Sequence, residues 1–131
     1  MEFKNWSGSV RVTPASFVQP DTVDEVRDIV RASKCIRAAG AGHSFSETAG
    51  TLLNRARLSG IVSADRASGR VRFRGGTRLR DIPALLEPYG LALANQGDIN
   101  AQSLAGAVST GTHGTGLQFT GFAGMVTGVT I

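Results

Sequence analysis

The chain has 131 residues, 41% hydrophobic and 18% charged, with a net charge of +4 at pH 7. That length suits one domain or a piece of a larger protein, and that composition supports a packed core and excludes a disordered chain. The single cysteine, Cys35, excludes an internal disulfide and a cysteine metal cluster. No apolar run approaches the roughly 20 residues of a membrane span. The N-terminus lacks the basic-then-apolar layout of a secretory signal. The expectation is a cytoplasmic protein with no membrane span and no metal.

The first predicted element lies in QPDTVDEVRDIVRASK. Thr22 is the N-cap of a helix, with Glu25 three positions on as in a capping box. Val23, Val26, Ile29 and Val30 follow helical spacing and are expected to face the core. CIRAAG, from Cys35, reads as a strand. Ile61–Val62 and Val71–Phe73 read as two short strands, with RASG as the turn between them. Leu79, Ile82, Leu85, Leu86 and Tyr89 repeat at helical spacing. Pro83 then lies in the first turn or kinks the helix, and Gly90 stops it. LALANQGD reads as a strand running into a loop, and the apolar MVTGVTI as a strand interrupted where the chain stops.

Arginines crowd the middle of the chain: Arg55, Arg57, Arg66, Arg70, Arg72, Arg74, Arg78 and Arg80. Few aromatic residues stand among them to stack on bases, so no nucleic-acid partner is expected. They read as a solvated face, or as a surface meeting an anionic cofactor or a missing part of the same protein.

Two loops carry the chemistry. In GAGHSFS, Gly40 to Ser46, glycines can turn backbone N–H groups inward as an anion nest, and Ser44 and Ser46 add hydroxyls. A phosphate or pyrophosphate is the natural guest. A Walker loop is excluded, because no Gly-Lys-Ser/Thr triplet occurs. A dinucleotide G-x-G-x-x-G is excluded by Phe45, and a nucleophile elbow by Ser46 in place of its last glycine. The second loop, SLAGAVSTGTHGTG from Ser103 to Gly116, is again rich in glycine and hydroxyls and carries its own histidine, His113. Its small residues allow backbone to lie close against a planar or phosphate-bearing ligand.

RAAGAGHSFS and NQGDINAQSLAGAVSTGTHGTG resemble the two flavin loops of the vanillyl-alcohol-oxidase superfamily, and NWSG at Asn5 to Gly8 resembles the N-terminus of its sugar-acid lactone branch. The resemblance covers nearly the whole chain. It implies an α+β fold, the PCMH-type FAD-binding domain, with residues 1–131 as its N-terminal part and the substrate domain absent. The implied activity is oxidation of an aldonolactone of the gulono-, galactono- or arabinono-1,4-lactone type by hydride transfer to FAD. The alternatives are an alditol oxidase of the xylitol or sorbitol type, and a non-catalytic flavin- or polyanion-binding fragment. The partners implied are a sugar lactone or polyol and oxygen or another electron acceptor.

The same resemblance assigns residues. Gly40, Ala41, Gly42, Ser44 and Phe45 meet the cofactor, with the pyrophosphate on the glycine turn. His43 stands where many members hold the flavin covalently, through the methyl on its benzenoid edge. Ser103, Leu104, Ala105, Gly106, Thr110, Gly111, Thr112 and His113 contact the cofactor from the second loop. Gly97 and Asp98 lie by the reactive edge of the ring, where Gly97 leaves a path for oxygen. The simpler reading of Gly97 is a glycine supplying a positive φ. No catalytic residue is expected within these 131 residues. The chain alone is expected to bind FAD poorly and to self-associate through apolar edges near Ile131.

Overall fold

The computed structural model describes residues 1–44 and 50–131. The chain opens with a short antiparallel pair, β1 (Phe3–Lys4) and β2 (Arg11–Val12). β3 (Ser16–Val18) leads into α1 (Val23–Ala32), then β4 (Ile36–Ala39) and β5 (Thr51–Asn54). These strands form a parallel sheet in the order β3-β5-β4. β6 (Ile61–Asp65) and β7 (Arg70–Phe73) form an antiparallel hairpin. α2 (Ile82–Leu86) sits between two 3-10 turns, and α3 (Leu104–Ser109) follows a long loop. Helices beside a small sheet give the expected α+β class.

The start of α1 obeys its sequence. The Thr22 hydroxyl accepts from the Glu25 amide at 3.1 Å. The Glu25 carboxylate reaches back one residue further than a capping box requires, to the Asp21 amide at 2.8 Å. The core-facing expectation holds only in part. Val26 and Ile29 are half-buried, but Val23 and Val30 are exposed. At 3.6 residues per turn they lie roughly a quarter-turn from the buried stripe, and the small sheet does not reach that far round.

β5 was not foreseen. Its Leu52 and Leu53 are both buried, because the middle strand of a parallel sheet is covered on both faces. The larger core gathers Leu79, Ile82, Leu86, Ala107 and Phe122, with Val71, Phe73, Leu91 and Leu104 packed around it. It ties the β6–β7 hairpin to both later helices. Pro83 lies in the first turn of α2, where its missing N–H costs nothing. Two predicted strands do not form. LALANQGD stays unpaired because Leu91 and Leu93 turn onto the core rather than onto a neighbouring strand. MVTGVTI begins in a 3-10 turn over Phe122–Met125 and then runs without a pairing partner among the described residues.

Candidate functional site

β4 and β5 run parallel, with Ala39 opposite Asn54, so both release their loops at the same end of the sheet. Gly40 to Ser44 leave β4 there. Gly42 has φ +79°, a conformation an L side chain rarely adopts. Among the described residues no acceptor takes the N–H groups of Ala41, Gly42 or His43. Three free amides on a glycine turn suit an anion. Phe45 and Ser46 lie outside the described residues.

The N-terminal pair clamps this loop, which the sequence alone did not show. The Trp6 amide donates to the Gly42 carbonyl at 2.6 Å. Asn5 is buried; its Nδ2 donates to the Ser44 carbonyl at 3.2 Å, while its Oδ1 accepts from the Val10 amide at 3.0 Å. The His43 ring stacks on the Trp6 ring, with centroids 5.7 Å apart and planes 18° from parallel. Hence NWSG acts as a brace under the first glycine loop.

The second segment, read from the sequence as a glycine- and hydroxyl-rich loop, is partly helical. Ser103 caps α3, its hydroxyl accepting from the Gly106 amide at 3.3 Å. The Leu104 and Ala105 amides donate to the carbonyls of Thr77 and Gly75, at 2.8 and 3.0 Å. The first amides of α3 are therefore spent within the protein. What this segment still has to offer a ligand is the Ser103 hydroxyl and close backbone approach. Thr110 caps the other end by donating to the Gly106 carbonyl at 2.8 Å, and Thr112 exchanges hydrogen bonds with Gln102. His113 is exposed, its Nδ1–H donating to the Gly114 carbonyl at 2.8 Å.

The two loops meet. A Cβ placed on Gly40 would lie 2.6 Å from the Ser103 hydroxyl oxygen and 4.0 Å from the Gly106 Cα. Ala39, Gly40, Arg55, Gly76, Arg78 and Ser103 meet around the seam, packed too tightly to admit a water molecule between them. Gly76 escaped sequence reasoning, although the Gly75-Gly76 doublet was an available signal; Arg55 was read only as one of a basic group, solvated or facing an anionic cofactor. Gly76 comes so close to the Arg55 and Leu58 carbonyls that a side chain there would collide with them. Burial pushes the Arg55 guanidinium below its usual pKa, and its Nε is buried without a hydrogen-bond partner. Leaving such a donor unpaired costs about 1–3 kcal/mol.

The FAD binding domain family matches residues 14–131. The chain belongs to this family. FAD is its cofactor, and the site fits: free amides and an unsatisfied arginine Nε flank the seam where Gly40 lies against Ser103. Similar proteins include an L-gulono-1,4-lactone dehydrogenase of Mycobacterium tuberculosis, 35% identical over 124 residues. That alignment covers 89% of this chain and 29% of the relative. An alditol oxidase of Streptomyces is 37% identical over 119 residues, covering 86% of this chain and 29% of the relative. A D-arabinono-1,4-lactone oxidase of Candida glabrata is 36% identical over 124 residues, covering 86% and 24%. The chain thus spans less than a third of the length of these relatives.

A second cluster of FAD-domain residues forms around Gly97. A Cβ there would lie 3.4 Å from the His113 carbonyl oxygen and 3.6 Å from the Thr112 methyl. Gly97 does not have a positive φ, so the simpler reading of this glycine is wrong. Asp98 is exposed beside it. No helix among the described residues is long and apolar enough to cross a membrane.

Proposed function

We propose that residues 1–131 are the N-terminal part of an FAD-dependent oxidoreductase that oxidises an aldonolactone of the gulono-, galactono- or arabinono-1,4-lactone type. The observation that carries this reading is the meeting of the two glycine loops at Gly40 and Ser103, in a chain similar to lactone dehydrogenases and oxidases. Bound FAD would supply the hydride acceptor. The chain's own residues bind and orient. Ala41, Gly42 and His43 offer amides to the pyrophosphate, and Ser103 offers its hydroxyl from the facing loop. Asn5 and Trp6 keep the first loop in that posture. His43 is the attachment point for a covalent flavin. Gly97 leaves room by the reactive edge for oxygen to approach.

The testing experiment is anaerobic reduction of the full-length flavoprotein by L-gulono-, L-galactono- and D-arabinono-1,4-lactone, followed by flavin absorbance. Bleaching by one or more lactones supports the reading. Bleaching by xylitol or sorbitol alone would instead favour alditol oxidation, a reading supported by the similarity to the Streptomyces alditol oxidase. A full-length protein without flavin absorbance would defeat both.

A further inference from the structure

Three arginines of the basic stretch have different fates. Arg57 pairs with Asp21 at 3.0 Å. Arg78 donates from Nη1 to the Ala101 carbonyl at 2.9 Å. Arg55 has neither kind of partner: its Nε is buried and unsatisfied, and it forms no ion pair among the described residues. Its backbone is nevertheless well fixed. The Arg55 carbonyl accepts from the Leu58 amide at 2.9 Å, and Gly76 packs against that carbonyl. The residue is thus held beside Gly40 and Ser103 while its buried Nε goes unused. Buried polar groups are normally paired, so a buried, unpaired Nε on a residue with a fixed backbone points to a partner outside the protein.

We propose that Arg55 is a phosphate ligand, and that the phosphate it takes is the pyrophosphate of FAD at the Gly40–Ser103 seam. The proposal rests on the reading that FAD lies across these loops. Lactones and polyols carry no charge, so the anion in this system is the cofactor's. The Leu104, Ala105 and Gly106 amides are already committed, which leaves the second loop without free backbone donors at this point. A guanidinium supplies what is missing: a planar fork matched to two phosphate oxygens.

The test compares Arg55→Met and Arg55→Lys in full-length apoprotein carrying His43→Ala, which removes the proposed tether. Binding of FAD and of riboflavin is followed by quenching of flavin fluorescence. Arg55→Met should weaken FAD at least tenfold and leave riboflavin, which has no phosphate, unchanged. Arg55→Lys should recover part of the loss. FAD binding should also depend less on salt in Arg55→Met than in its parent. Without cofactor, Arg55→Met should melt no lower than its parent, because it removes an unpaired buried donor. Equal losses for FAD and riboflavin would overturn the proposal, as would a cofactor-free variant that melts lower or fails to fold, since either assigns Arg55 to the scaffold. A parent that binds riboflavin as tightly as FAD also overturns it. If the parent binds neither flavin, the cofactor reading itself fails and takes this proposal with it.

Discussion

Gly40 lies so close to Ser103 that one methyl group on it would overlap the serine hydroxyl, at 2.6 Å. Two segments more than sixty positions apart in the sequence are locked at one point. Gly40→Ala should therefore destabilise the fold by about 1–3 kcal/mol through overpacking. It should also lower FAD retention, because relief of the clash separates the loops. Thermal melting and the ratio of flavin to protein absorbance after gel filtration read the two effects. Unchanged values for both would show that the seam opens freely.

The stacked Trp6 and His43 rings give a second prediction. Acid precipitation of the full-length protein should leave yellow flavin with the polypeptide, and His43→Ala should release all of it. Trp6→Ala should lower the tethered fraction several-fold while non-covalent FAD remains, because the imidazole loses its platform and the loop keeps its backbone bonds. Flavin washing entirely from the unaltered protein would remove the tether from the account.

At Gly97 an added methyl meets the His113 carbonyl and the Thr112 methyl near ordinary contact distance. Gly97→Ala should therefore fold normally. Its turnover with oxygen should fall tenfold or more, while turnover with an artificial acceptor such as dichlorophenolindophenol is retained. A parallel loss with both acceptors would make Gly97 a packing residue and leave oxygen access to other groups.

The β6–β7 turn is held by a carboxylate. The Ser68 hydroxyl, at 2.6 Å, and then the backbone amides of Ala67 and Ser68 hold the exposed Asp65 below its usual pKa. A depressed folded value means that this stabilisation is complete above the unfolded value of about 3.9 and is lost as pH falls through the lower folded value. The Ala67 amide resonance should keep its position down to about pH 4 and move only below it. Asp65→Asn should abolish that movement and cost little at neutral pH.

Much of this was visible in the sequence wherever the cause is local. The Thr22 cap, the Gly90 stop, the β6–β7 hairpin and both glycine loops were legible, because each depends on residues a few positions apart. β5 was not: TLLN has no period, and only its place between β3 and β4 makes it a strand. The helix within SLAGAV hid behind its small residues, since its first amides bond to Gly75 and Thr77 rather than within the segment. Of the residues at the seam, Gly40 and Ser103 were foreseen and Gly76 was not; Arg55 was not singled out from its basic stretch, because an arginine there looks like surface until its partners are counted.

The strand order has a consequence for how the site comes into being. β5 is the last of the three parallel strands to leave the ribosome, yet it is the middle one. Until Thr51–Asn54 emerges, β3 and β4 have nothing to pair with, and the glycine loop at the end of β4 hangs from an unanchored strand. Ser16 must wait for Thr51, and Gly40 for Ser103. The meeting of the two loops thus depends on distant pairings that close slowly.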